Sequence, residues 1–364
     1  MDQAPPYRKR PHERHSHQCA RHSCNPIRRP GADRVSRRPP PTGGGAASSQ
    51  VIAPKFGQAT SFWGGSESQS PSEFAVGDDT LPIGVGIIIL AMEGPSTFLP
   101  LLAQYKPALV WLSFRESQDF RQWTDCIRQT SPSTKVWIQL GSVRCALEVA
   151  HSCRPDALVL QGSDAGGHGH ARGSSIVTLV PEVADALSRA GIGSIPLIAA
   201  GGIMDGRGVA AALALGAAGV VMGTRLLGAV EADLPREYRD EILAAWDGGE
   251  STVRFHVFDE MWGDNPWPEV YDGRCLRNRC YEDLEGGMSV GEMRERLYWR
   301  IGMARRDEEV AVKDTSSLWV GAGVGMLRVV ETAREIVESV QEEAKDRLQH
   351  AASQLSAIGH AMQQ

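Results

Sequence analysis

Two short segments of this chain concentrate the residue types that do chemistry. The first, Leu160–Gly173 (LQGSDAGGHGHARG), sets His168 among Gly166, Gly167 and Gly169 at the end of an apolar run. An imidazole ionises near neutral pH and so suits removal of a proton from carbon, and glycine neighbours leave room for a substrate beside it. The second, Ile195–Gly228 (IPLIAAGGIMDGRGVAAALALGAAGVVMGTRLLG), carries two glycine turns, Gly201-Gly202 and Gly223-Thr224, separated by one helical stretch. Glycines at strand ends let backbone N–H groups approach a phosphate, and the following helix N-terminus adds a favourable dipole. A lone glycine pair is usually no more than a tight turn. Two of them one helix apart, the second followed by the hydroxyl of Thr224, point to a phosphate-bearing cofactor. Several flavin and nucleotide enzymes share that arrangement, so it names no reaction.

Other polar clusters read more blandly. His170 follows His168 at i+2 with Asp164 nearby, but two loop histidines without a close cysteine make a poor metal pair, and no metal is expected. His15, His17, Cys19, His22 and Cys24 have zinc-ligand chemistry but no common finger spacing, and they lie in low-complexity sequence. Asp205 and Arg207 read as a helix N-cap and a surface charge. Trp262, Trp267 and Tyr271 read as packing for a long insertion, with lining of a substrate mouth as the lesser alternative.

The elements that must position these residues are legible from residue 81 onward. Short apolar runs at 83–90, 108–113, 135–140, 157–161, 195–200 and 219–223 alternate with amphipathic stretches near 95–105, 117–130, 143–153, 178–190, 206–216 and 233–247. That alternation marks βα units around a parallel sheet. His168 and both glycine turns then fall at the carboxyl ends of strands, the catalytic face of a (β/α)8 barrel. The expected fold is therefore α/β, a TIM (β/α)8 barrel over 81–249 that is incomplete, since its first two βα units are not recognisable. Residues 250–320, dense in Trp, Arg, Asp and Gly, read as a loop and short-helix insertion, and 321–364 as a C-terminal helical segment. Within it, Leu327, Val330, Ala333, Ile336 and Val337 place one apolar face on a helix over 324–350.

Composition narrows the class. Of 364 residues, 42% are hydrophobic and 23% charged, with a net charge of −6, which gives no reason to expect a nucleic-acid partner. The seven cysteines are odd in number and form no CxxC pair, so neither a disulfide framework nor a zinc ribbon is indicated. No run reaches ~18 apolar residues, and the start of the chain lacks the apolar core of a secretory signal. A cytoplasmic enzyme is expected, with an arginine-rich mitochondrial leader as the lesser reading. Residues 1–80, rich in Pro, Arg, His, Ser and Gly, are expected to be disordered or to be a mis-predicted start.

The run QG-x-DAGGHG from Gln161, then AAGGI-x-DGRG from Ala199, then MGTR from Met222, resembles the nitronate monooxygenase family (2-nitropropane dioxygenases) in its fungal-type form, over about residues 81–330. The resemblance implies an FMN enzyme that oxidises nitronates or nitroalkanes with O2 to a carbonyl compound and nitrite. It further implies that His168 removes the α-proton of a neutral nitroalkane. Backbone amides at Gly201, Gly202, Gly223 and Thr224 would hold the FMN phosphate, and Gly166 and Gly167, which flank the base, would also meet the cofactor. Gln139 and Gln161 would meet the flavin ring or substrate. The family's first two βα units, with a proline- and methionine-containing turn after the first strand, have no counterpart in residues 1–80. Two rivals share the phosphate loops: an FMN-dependent NAD(P)H reductase of the enoyl-acyl-carrier-protein or quinone type, and a degenerate barrel that no longer binds flavin. A reading as an IMP dehydrogenase relative, suggested by ALALGA-x-x-VVMG, fails because that family needs a nucleophilic cysteine where this chain has His168.

Overall fold

The computed structural model describes residues 80–304 and 310–361. The expectations for residues 1–79 and the His/Cys run within them lie outside the described residues. In chain order the strands are β1 Leu81–Ile88, β2 Pro107–Ser113, β3 Lys135–Leu140, β4 Ala157–Gln161, β5 Gly167–His170, β6 Leu197–Ala200, β7 Gly219–Val221, β8 Thr252–Phe255 and β9 Tyr271–Leu276. The α-helices are α1 Leu99–Tyr105, α2 Ser117–Thr130, α3 Val143–Cys153, α4 Ile176–Arg189, α5 Gly206–Ala214, α6 Arg236–Ala244, α7 Gly248–Ser251, α8 Val257–Glu260, α9 Arg279–Glu285, α10 Val290–Ala304 and α11 Ala333–Ala361.

Six strands pair in the order β1-β2-β3-β4-β6-β7, every neighbour parallel. This is an incomplete TIM barrel, two strands short of eight among the described residues. Side-chain alternation explains its layers. Val110, Leu112, Val136, Ile138, Leu158, Leu160 and Ala199 point outward and are buried with Phe120, Trp123, Val149, Leu179 and Val183 of the surrounding helices. The alternate positions Trp111, Trp137, Val159, Ile198, Ala200 and Val221 point inward and form a separate cluster inside the barrel. Full burial of an aliphatic side chain contributes about 1.5–3 kcal/mol, so the outer layer fixes the register of the strands. By the same alternation Gln139 and Gln161 occupy inward positions at the carboxyl ends of β3 and β4.

Residues 250–320 contain short helices and loops, and they also contain two strands that patterning did not disclose. β5, β9 and β8 form a separate antiparallel sheet, with His168 opposite Gly273. The residues around His168 are thus a strand rather than the open loop expected at the end of β4.

The C-terminal helix begins at Ala333 rather than 324, because 322–326 is a 3-10 turn and Thr332 supplies the cap. Thr332 Oγ1 accepts from the Glu335 amide at 3.2 Å, and Glu335 Oε2 accepts from the Thr332 amide at 2.8 Å, a T-x-x-E capping box. α11 packs on α5, where Glu343 Oε2 accepts from the Gly206 amide at 2.9 Å. A Cβ on Gly206 would lie 2.4 Å from the Ala344 backbone nitrogen. Gly206→Ala is therefore expected to push α11 away and destabilise the protein by about 1–3 kcal/mol, readable in the midpoint of urea unfolding.

Candidate active site

One cavity of about 290 Å³ opens at the carboxyl ends of the barrel strands. Gln139, Gln161, Gly166, Gly167, Gly201, Gly202, Gly223 and Thr224, the residues expected to meet a cofactor, all line it. Local conformation brings them there. Gly201 and Gly202 have φ of +107° and +73°, which turn the chain sharply off β6 and which a side chain would oppose. Gly223 leads into the 3-10 turn Thr224–Gly228.

The polar bookkeeping of the cavity is unbalanced towards donors. The amides of Gly201, Gly202, Gly223 and Thr224 donate to no other described residue. Thr224 Oγ1 accepts from the Gly321 amide at 2.8 Å, which leaves its hydroxyl proton for a further acceptor. On the inner barrel face the buried Nε1–H of Trp111 has no acceptor among the described residues. An unpaired buried donor such as the Trp111 N–H is rare, and together with backbone amides that have no protein acceptor it suits an acceptor-rich ligand in this cavity. A larger cleft, about 520 Å³, is lined by Glu241, Arg279, Glu282 and Lys313 among others. There Arg279 pairs with Glu282 and Lys313 with Glu241, so its charges already answer one another.

The helix dipole expected behind the glycine turn is diverted. At the N-terminus of α5 the Asp205 carboxylate accepts from the Arg207 and Gly208 amides at 3.0 and 3.3 Å, while Glu343 takes the Gly206 amide. Burial would raise the Asp205 pKa, but the Arg207 side chain and the two amides outweigh it and hold the carboxyl below its usual range. Asp205 is the N-cap the sequence suggested, and Arg207 is tied to it rather than being a free surface charge. The donors left for a ligand are those of the turns themselves.

A second glycine-rich segment closes the cavity from far along the chain. Trp319, Gly321 and Gly323 line it, and the Ala322 amide donates to Asp164 O at 3.0 Å. A Cβ on Gly166 would be 2.3 Å from the Val320 carbonyl carbon, so glycine there is required for this closure. Its sequence signal is the run G-A-G-V-G at 321–325, which falls within the segment expected to be helical.

His168 itself does not line the cavity. Its ring stacks on Trp267 (centroids 3.8 Å, planes 10° apart) and leans on Trp319 (4.7 Å, 46°), which itself lines the cavity. Its Nε2 lies 2.9 and 3.0 Å from the two carboxylate oxygens of Asp259, on α8. Trp267, read from sequence as insertion packing, thus stands against His168, and Phe114 meets Trp267 and Tyr271 edge-on, at 5.0 and 5.3 Å. Phe114 follows β2 with φ +61°, a conformation rare for a bulky side chain and typical of functional loops. Burial pushes the Tyr271 hydroxyl up to about 12. Trp262 packs apart, against Val257 and Phe258.

Two guanidinium groups from the antiparallel sheet hold the segment that carries His168. Arg254 donates through Nε to Asp272 at 2.9 Å and through Nη1 to Ser163 O at 3.3 Å. Arg274 donates to Ser163 O at 3.2 Å and to Thr252 Oγ1 at 2.9 Å. Burial, then the neighbouring Arg254 charge, lowers the Arg274 pKa from its usual value. Burial likewise lowers the His170 pKa, helped by Arg144 and Arg254, and His170 Nδ1 accepts from the Arg172 amide at 3.3 Å. Asp272→Ala would leave Arg254 buried without its carboxylate and is expected to destabilise the protein by about 3–5 kcal/mol, measured by urea unfolding. A loss below about 1 kcal/mol would mean that the pair is solvated.

The chain is similar to known proteins over most of its length. The family model described as nitronate monooxygenase matches residues 105–257. A nitronate monooxygenase of Metarhizium robertsii is 41% identical over 288 residues, 76% of this chain and 77% of that protein. One of Neurospora crassa is 38% identical over 287 residues, 73% and 72% of the two chains. Among solved structures, FabK from Thermotoga maritima superposes with a TM-score of 0.56 at 28% identity, covering 75% of this chain and 79% of that one. Nitroalkane oxidase from Streptomyces ansochromogenes superposes with a TM-score of 0.53 over 85% and 80% of the two chains, and at 21% identity it shares the fold.

Proposed function

This chain belongs to the nitronate monooxygenase family and is an oxidoreductase on an incomplete TIM barrel, and from that premise we propose that it uses FMN and O2 to oxidise nitronates and nitroalkanes to a carbonyl compound and nitrite, with His168 as the base. The observation that carries this reading is the donor-rich cavity at the barrel mouth.

The residues present fit a flavin mononucleotide. A phosphate is a dianion rich in acceptors, and the unmet amides of Gly201, Gly202, Gly223 and Thr224 with the Thr224 hydroxyl are a matching donor set. The Trp111 indole N–H and the Gln139 amide provide polar contacts deeper in the barrel, Gln139 Nε2 donating to Gln161 Oε1 at 3.0 Å and Gln161 Nε2 to His168 O at 2.9 Å. That chain of amides links the cavity floor to the strand that bears the base. When bound, FMN supplies the two-electron chemistry and reaction with O2 that no side chain can provide. His168 removes the α-proton of a neutral nitroalkane, a carbon acid within reach of an imidazole. Trp267 and Trp319 pack on the imidazole and leave its side chain 13% exposed.

The test uses the purified full-length chain, titrated with FMN and followed by its visible absorbance, then supplied with nitroalkane or nitronate. A yellow protein that consumes O2 and releases nitrite is the expected result. Rapid NAD(P)H consumption without nitrite would overturn the reading in favour of a reductase, and a protein that stays colourless would overturn it in favour of a degenerate barrel.

A further inference from the structure

We infer that Asp259 is a positioning residue for His168, holding the imidazole as the Nε2–H tautomer so that Nδ1 carries the lone pair that takes the substrate proton. The inference rests on His168 being the base. Its grounds lie in the surroundings of one ring. Nε2 faces both oxygens of a carboxylate at 2.9 and 3.0 Å, and the two side chains are only 13% and 10% exposed. An ionised carboxylate offers no proton, so the ring nitrogen that faces it must bring one. In a neutral imidazole that leaves Nδ1 bare. Among the described residues Nδ1 makes no hydrogen bond, whereas Nε2 makes two.

The ring is also unable to exchange its two nitrogens freely. Trp267 covers one face at 3.8 Å and Trp319 leans on it at 4.7 Å. Trp319 can lie so close because the residue paired with His168 across the sheet is glycine: a Cβ on Gly273 would be 2.3 Å from the Trp319 ring. Asp259 is equally fixed, since α8 is anchored by Val257 and Phe258, 0% and 1% exposed. When His168 accepts a proton at Nδ1, the resulting imidazolium lies against the Asp259 charge and an indole face, both of which favour it. Deprotonated Asp259 thus sets the tautomer before the reaction and stabilises the cation formed in it, without touching substrate.

A neutral nitroalkane must lose its α-proton, whereas its preformed nitronate has already lost it. Asp259→Asn removes the carboxylate charge with little change of volume. The expected result is that kcat/KM for the neutral nitroalkane falls about 10²-fold more than kcat/KM for the nitronate, carried mainly by kcat. A purely structural role would lower both alike, and equal loss on the two substrates overturns the proposal. Should the variant fail to fold, the unaltered holoenzyme decides the matter. A long-range ¹H–¹⁵N spectrum of its histidine rings, with the His168 signals identified by their loss in His168→Asn, is expected to show the Nε2–H tautomer. Observation of Nδ1–H would overturn the assignment. If His168→Asn itself kept parental turnover on nitroalkane, the base reading would fall instead, an outcome distinct from either of these.

Discussion

Replacement of His168 by asparagine is expected to lower kcat/KM for a neutral nitroalkane by about 10²–10⁴-fold while FMN remains bound, the range lost when a positioned general base is removed. Retention of flavin follows from geometry: the imidazole is outside the cavity, and the donors around the cavity belong to the turns at Gly201 and Gly223 and to Trp111. Asparagine keeps a polar side chain beside Trp267 and Trp319 at the cost of the ring contacts. Steady-state O2 uptake with nitroalkane and nitronate side by side provides the measurement. The loss should fall chiefly on the neutral substrate, and parental turnover of nitroalkane by the variant would sink the role given to His168.

Gly223→Asp should weaken flavin binding about 10³-fold and leave the fold intact. Gly223 has φ −100° and ψ −71°, a region open to any residue, and a Cβ there meets no atom within 4 Å. The new carboxylate would occupy the cradle proposed for the phosphate. Two like charges about 4 Å apart at an effective dielectric constant of ~20 repel by about 4 kcal/mol, or about 10³-fold in affinity. Titration of the variant with FMN is the direct test, with the thermal midpoint of the flavin-free protein as the control for folding. Parental affinity would place the phosphate elsewhere. The contrast with Gly206 is instructive, since there the added Cβ meets the α11 backbone and the expected damage is to the fold.

Much of the chemistry was legible because it is local. The glycine turns, the Asp205 cap and the T-x-x-E box before α11 are short-range motifs whose backbone requirements are met within a few residues. The six parallel strands announced themselves as apolar runs because both of their faces are covered, and β1, β6 and β7 differ from expectation only at their ends. By contrast β8 (TVRF) and β9 (YDGRCL) interleave Arg, Asp and Gly with apolar residues, so they carry no strong strand pattern. Their charged residues are inward-facing on purpose: Arg254 and Asp272 form a buried pair that satisfies the carbonyls around His168. The residue opposite His168 is therefore invisible to any local period.

The sequence by itself determined the parallel barrel strands and the glycine turns that line the cavity, because side-chain alternation and glycine stereochemistry act over neighbouring positions. Only the tertiary structure decided what surrounds the base. Asp259 lies 91 residues from His168 along the chain, and their contact depends on the β5–β9 register that sets His168 against Gly273. That register is fixed by packing of Trp319 and by two guanidinium clamps, each needing the whole fold to bring its partners together.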